Sequence, residues 1–377
     1  MDWTGSEFTF TEHDLDLFQY EGRKSTLIQR YPTKDALTIE TVMIEEDWGK
    51  WMRNNAFLKR PSAEAGLCVI LCDRAKNLSD DEGSPVSYLP FERPTFEGLA
   101  RSLRIHRTVS RTIARETAYF SATRLVDPSD RTPSIVMTSR MSSLWPNDLA
   151  LSTTFFPDSD FTCAMVFGCD ASQRRQLMAR LAKAPFEALG HPLLLPGIFA
   201  ELERKRLSER VEDTLDRFTL RTSSVSDLPD HNFGMLDMNE EQMGEYLQLC
   251  YQSQSLAKEL KTVKRQLAKM VQFCNDFNPS SSSKNQSVLR TMDSGVVLDD
   301  EDGEDVMNVN RMLKERILEI MGEYDDMIEE CDMVVDNMSI TMQTVWSHIA
   351  RRDAIVNTNI ARANNSIALD AKQDNGQ

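Results

Sequence analysis

Between positions 315 and 336 the chain sets nine carboxylates, Glu315, Glu319, Glu323, Asp325, Asp326, Glu329, Glu330, Asp332 and Asp336, against one cation, Arg316. Carboxylates crowded at helical spacing repel one another, and a hydrated Mg2+, which needs only one or two of them beside its own waters, would relieve that repulsion. An acidic face left in solvent is the plainer reading of the same run. The cysteines point to chemistry less strongly. Cys68 and Cys72 fall on one side of a strand, as do Cys163 and Cys169 if their strand continues that far, but no second pair has zinc-finger spacing, and buried free thiols are expected. His13, His106, His191, His231 and His348 are too dispersed for a triad or a zinc pair. Gly22-Arg23-Lys24-Ser25 lacks the glycine-lysine pair and the upstream glycine of a phosphate loop, and no Gly-x-Ser-x-Gly elbow occurs. The expectation is therefore no enzyme, no catalytic residues and no cofactor other than a hydrated Mg2+ at the acidic run, whose ligands are unassigned.

Composition bounds the rest. The 377 residues carry 43 Lys and Arg against 59 Asp and Glu, a net charge of −16. That balance argues against a nucleic-acid partner, which needs a basic face to displace counterions from phosphates. The longest apolar runs, Leu67 to Cys72 and the stretch around Leu193 to Ala200, fall far short of the roughly 20 residues that cross a bilayer as a helix. The N-terminus is acidic where a signal or transit peptide is basic, and the seven cysteines are scattered, so a reducing cytosolic compartment is expected.

These residues must be positioned by a mixed α+β fold followed by long helices. Residues 1–66 show no sustained period and receive no assignment. Residues 67–190 read as a mixed α/β domain built on one sheet: the strand LCVILC, one or two amphipathic helices from Phe96 to Arg115 with Arg101, Arg104, Arg107 and Arg111 on the basic face, then SIVMTSR, LALSTTFF, a Pro157-Asp158-Ser159-Asp160 turn and FTCAMVFG, with a helix opening at Asp170. The basic face reads as solvated or as paired with the acidic stalk, with anionic lipid as the sharper alternative. Residues 191–277 are helical, with Pro196 tolerated near a helix start and a heptad seam of Tyr246, Leu249, Ser253, Leu256, Leu260, Val263, Leu267, Met270, Cys274 and Phe277. Residues 278–305, serine-rich and then acidic, read as a linker. Residues 306–373 read as one stalk helix roughly 95 Å long, with a seam from Leu313 to Met338, a stutter, and a second seam through Met342, Val345, Ile349, Val356, Ile360, Ala363 and Ile367. Such a helix predicts self-association or packing against the 246–277 seam.

Three stretches, SRMSSLWPNDLALSTTFFPDSDFTCAMVFGC, HPLLLPGIFAELERKRL and WSHIARRDAIVNTNIARANNSIALDAKQD, together resemble the fungal branch of the CorA-like magnesium transporter proteins. The resemblance implies a cytosolic α/β/α domain, a stalk helix leading to two transmembrane helices beyond Ala368 to Lys372, a homopentamer, and divalent ions at cytosolic interfaces that hold the gate closed. Neither transmembrane helix nor the Gly-Met-Asn pore signature lies within the sequence, and Gly234-Met235-Leu236 does not replace the latter. The expected function is that of the cytoplasmic part of a divalent metal ion transporter, conducting nothing alone and contacting a membrane only through segments outside this chain. The alternative is a free-standing cytosolic coiled-coil scaffold in which phosphates on Ser280 to Ser283 regulate an already acidic linker.

Overall fold

The computed structural model describes residues 8–30, 38–54, 66–75, 84–126, 131–226, 240–277 and 301–374. The helices are α1 (Glu12–Leu15), α2 (Glu45–Asn54), α3 (Arg93–Ser102), α4 (Thr108–Ile113), α5 (Ala171–Lys183), α6 (Phe186–Leu189), α7 (Leu194–Ser226), α8 (Glu240–Asp276) and α9 (Glu301–Asp374). The strands are β1 (Gln19–Tyr20), β2 (Ser25–Arg30), β3 (Thr38–Met43), β4 (Gly66–Asp73), β5 (Tyr88–Leu89), β6 (Tyr119–Val126), β7 (Pro133–Arg140), β8 (Ala150–Phe156) and β9 (Phe161–Cys169). The chain divides into two compact units, residues 1–207 with 259–325, and residues 208–258 with 326–377.

The first unit is built on a seven-stranded sheet of order β3-β2-β4-β9-β8-β7-β6. Within this sheet β4 and β9 pair in parallel and every other neighbour is antiparallel, while β1 and β5 form a separate parallel pair. The β8–β9 hairpin forms around the Pro157 to Asp160 turn as the sequence implies. The unassigned N-terminal region supplies β2 and β3, so the sheet extends two strands past β4 on one side. Their sequences, STLIQR and TIETVM, are short and partly polar, which hides them from a periodicity argument.

Both faces of the central strands are covered. On one, Cys68, Ile70 and Cys72 of β4 and Cys163, Met165 and Phe167 of β9 pack with Trp48, Phe96, Leu99 and Val109 of α2, α3 and α4. On the other, Leu67, Val69 and Leu71 with Ala164 and Val166 pack with Leu177 and Leu181 of α5, Leu195 and Ile198 of α7, and Val309 of α9. A strand buried on both sides reads as an unbroken apolar run, which explains LCVILC. The expected helical stretch from Phe96 to Arg115 is two helices, because Arg104 turns into the left-handed region at φ 50° and its carbonyl is held by the Thr154 hydroxyl of β8 at 2.7 Å. At the other end of the sheet, Asp170 caps α5 through the Ser172 and Gln173 amides, both at 2.7 Å, and Gln173 returns a capping-box bond. The edge strand β6 is blunted by α8, whose Glu259 and Gln266 accept from the Ala118 and Phe120 amides at 3.2 Å.

The cysteine expectation needs correction. Cys163 stands beside Cys68 in the β4–β9 register, but Cys169 belongs to the opposite face from Cys163. Gly168, at φ 78°, and a register shift after Cys72 break the alternation before Cys169. A Cβ at Gly168 would stand 3.0 Å from the Arg74 guanidinium, so the position needs glycine for space as well as for backbone. Burial pushes the Cys163 thiol up to about 12, as befits an inert core cysteine.

The second unit is helical. Tyr246 and Leu249 of α8, Val334 and Met338 of α9, and Leu215 and Phe218 of α7 form its core, and Ser253 donates to the Cys331 carbonyl at 2.9 Å. The polar interruption of the heptad seam is thus a satisfied buried hydroxyl. The first seam of α9 is buried from Ile317 through Met338, whereas Val356, Ile360 and Ile367 of the second are 48%, 53% and 65% exposed. The linker expectation for 278–305 falls mostly outside the described residues, and α9 already starts at Glu301.

In the first unit, His191 accepts from the Leu193 amide through Nδ1, so the neutral ring carries its proton on Nε2 and donates it to Asn310 Oδ1 at 3.2 Å. Asn310 donates in turn to the Cys274 carbonyl, linking α9, α8 and the start of α7. Burial pulls His191 from 6.5 down to about 4, against the smaller opposing effect of Asn310. The unfolded chain therefore binds a proton that the folded one refuses, and stability falls as pH drops from 6.5 towards 4, by at most about 3 kcal/mol. Melting temperature measured across that window is expected to decline in the native chain and to decline less in His191→Gln.

Candidate functional site

Two charged assemblies stand out in the first unit. The first is buried where α7 meets the loop between β7 and β8. Arg206 grips the Glu203 carboxylate with two bonds of 2.7 and 2.8 Å and donates its remaining N–H groups to the carbonyls of Ser142, Trp145 and Pro146 at 2.8 to 3.2 Å. All five guanidinium donors are used. Asp148 in the same loop is held by Arg74 at 2.7 Å and by Arg140 at 2.5 Å. Glu259 of α8 faces the cluster, its carboxyl raised first by burial and then by the Glu203 charge, with the Ala118 amide and Arg206 opposing. Tyr324 of α9, fully buried, completes the wall. The loop residues lie in the first of the three stretches that carry the CorA resemblance and Glu203 and Arg206 in the second, so those two stretches meet here.

The second assembly takes up the part of the acidic run that lies in this unit. Glu323 accepts from Arg204 of α7 at 2.8 Å and faces Arg316 at 3.4 Å. Glu319 pairs with Arg316 at 2.6 Å, and Arg316 also donates to Glu201 of α7. Asp325 pairs with Lys264 of α8, and Glu315 with Arg311 at 3.1 Å. Burial works to raise the Glu201 carboxyl, yet the bonds from Arg316 and Arg204 outweigh it and leave it below the usual carboxylate range. Two of these four cations, Arg204 and Lys264, come from other helices, so a count along α9 alone could not find them.

The remaining acids belong to the second unit, where Asp326, Glu329, Glu330, Asp332 and Asp336 are exposed. Among the described residues no group of three His, Cys, Asp or Glu side chains is placed to hold a metal ion. The acidic run therefore does not fit a closed Mg2+ cage in either unit.

The basic face from Arg101 to Arg115 is dispersed. Arg107 faces Asp14 at 3.8 Å, Arg104 lies over the Phe156 ring at 5.6 Å, and Arg101 and Arg111 are exposed. Arg115 stacks on Tyr119 at 4.3 Å, a ring that Lys269 of α8 approaches at 5.6 Å. Its neighbour at that point is thus a cation of α8.

No protein-family model matches the chain, and no curated protein matches it. Among solved structures it is similar to the full-length CmaX protein, at 11% identity and a TM-score of 0.42 over 88% of this chain and 80% of that one. It is also similar to the ZntB cytoplasmic domain from Vibrio parahaemolyticus RIMD 2210633, at 12% identity and a TM-score of 0.38 over 86% of this chain and 100% of that one. Likeness at this level transfers no residue role. No described helix is long and apolar enough to cross a membrane.

Removing one member of a buried pair strands its partner, so Arg206→Ala is expected to cost about 3–5 kcal/mol, and the double change Arg206→Met with Glu203→Leu less than the single one. Urea denaturation of the three chains checks this; equal losses for single and double variants would show that the ion pair is not the determinant.

Proposed function

We propose that this chain is the cytoplasmic region of a CorA-like divalent metal ion transporter, with the metal ion as cargo of the assembled protein and no transport by this chain alone. The observation that carries the reading is the meeting of two resemblance-bearing stretches at Arg206, which makes them one structural site. The third stretch lies on α9, a 74-residue helix, in agreement with a stalk. The fungal affiliation rests on the same three stretches.

In this reading the exposed apolar residues Val356, Ile360 and Ile367 are covered by other copies of the chain, as a homo-oligomer, pentameric in the family manner. The acidic balance speaks against nucleic acid as a partner. Regulatory Mg2+ acts on the exposed carboxylates of the second unit as a hydrated ion, because the acids of the first are taken by arginine and lysine. The competing reading, a cytosolic coiled-coil scaffold, draws on the same exposed row.

Two measurements test the proposal. Fractionation of source cells, probed with an antibody to residues 134–190, is expected to show a species well above 43 kDa that stays with membranes until detergent is added; a detergent-independent 43 kDa species would favour the scaffold. Millimolar Mg2+ is expected to slow proteolysis of the native chain and to lose that effect in Asp326→Ala with Glu330→Ala while keeping it in Glu323→Ala. Equal protection of all three would sink the regulatory part.

A further inference from the structure

The chain carries a net charge of −16, yet one margin of its first unit is basic. From position 260 to position 275, α8 holds Lys261, Lys264, Arg265 and Lys269 and no acid. This part of α8 runs beside β6, since Gln266 accepts from the Phe120 amide and Arg124 donates to the Asp276 carbonyl at 3.1 Å. Arg265 and Lys269 of α8, Arg115 just before β6 and Arg124 within it are all exposed. Lys264 holds Asp325, but among the described residues none of those four pairs with a carboxylate. Arg265 donates to the Lys261 carbonyl and the Thr262 hydroxyl, and Lys269 to the Gln266 side chain at 2.8 Å. The Arg115 guanidinium and the Lys269 ammonium share the Tyr119 ring, 4.3 and 5.6 Å from its centroid.

We propose that Arg265, Lys269, Arg115 and Arg124 form a docking row for an extended acidic peptide, a segment of a partner protein in which every second residue is Asp or Glu. The inference stands on the charge and spacing of this margin and does not depend on the transporter reading.

Two like charges on one ring, with no carboxylate between them, leave a positive site that an anion would neutralise. The ring takes the face of the Arg115 guanidinium, so its N–H edge is left for a planar, bidentate acceptor such as a carboxylate. Spacing selects the form of the partner. Arg265 and Lys269 are one turn apart, about 6 Å along the helix, and the step from Lys269 to Asp276, where Arg124 is held, adds about 10 Å. Alternate residues of an extended chain recur at about 6.6 Å, close to the pitch of one helical turn. A single phosphate asks instead for donors that converge on one point, as at a helix N-terminus, whereas these cations are strung along the C-terminal half of α8. A long nucleic acid would run past the row onto a chain whose net charge repels it.

The test uses the full chain and a fluorescein-labelled peptide of about ten residues alternating Glu and Ser, long enough to span the row. Anisotropy titrations at about 50 mM salt are expected to show saturable binding that weakens as salt is raised. Arg265→Gln with Lys269→Gln is expected to bind about tenfold more weakly at an unchanged melting temperature. Arg53→Gln with Arg175→Gln, an equal loss of exposed charge elsewhere on the first unit, is expected to bind as the native chain does. Equal weakening in the two double variants, or no saturable binding by the native chain at millimolar peptide, would overturn the proposal. So would oligouridylate or phosphatidylserine vesicles that displace the peptide and lose binding in the same variant, since the row would then belong to a nucleic acid or a lipid surface. Should the Arg265 and Lys269 variant not fold, Arg115→Lys decides: it keeps the charge and removes the fork, so weaker peptide binding supports the row and unchanged binding overturns it.

Discussion

Burying charge is possible only when every charge has a partner, and in the first unit that constraint centres on Arg206. Its guanidinium has five N–H groups, and each finds an acceptor in Glu203 or in the carbonyls of the loop between β7 and β8. The loop cannot move away without leaving a buried cation, a buried carboxylate and three carbonyls unsatisfied at once. Asp148, locked between Arg74 and Arg140, adds a second tie from the same loop to the ends of β4 and β7. The position of α7 over the sheet, and with it the facing helix that Arg316 meets, follows from this polar junction as much as from the apolar packing of Leu195 and Ile198.

The acidic run of α9 illustrates how differently a helix is read from within and from outside. Counted along its own sequence it is nine acids against one base, a pattern that invites a metal ion. In the folded unit, Arg204 and Lys264 arrive from α7 and α8, and Glu315, Glu319, Glu323 and Asp325 all have basic partners. The acids of the second unit stay exposed. One uniform sequence feature is thereby split into a structural part and a solvated part. The boundary between them, after Asp325, coincides with the division between the two compact units.

The heptad patterns divide in the same way. The seam from Leu313 to Met338 is covered within the chain, and Val334 and Met338 share a core with Tyr246 and Leu249. After the stutter the period continues unchanged, yet Val356, Ile360 and Ile367 are solvent-facing. Periodicity reports that a helix has an apolar face and is silent on what covers it. The second seam finds no cover within the described residues of one copy, which is why its role belongs to the proposed function and not to the fold.

By itself the sequence determined the features that are local in the chain: the buried strand LCVILC, the β8–β9 hairpin, the cap of α5 at Asp170, the course of α8 and α9, and the seams by which α8 and the first part of α9 are buried. Each of these depends on residues a few positions apart, where pleat, turn and helical period act directly. Only the tertiary structure decided the rest. It brought β2 and β3 into the sheet, turned Cys169 away from Cys163 through Gly168, gave His191 a partner 119 residues distant, and set Arg316 and Arg204 among the carboxylates of α9 and α7. The physical reason is common to all four. Pairing energies act through space, and nothing in the spacing of a single helix or strand records which distant side chain will stand opposite once the sheet has buried both its faces.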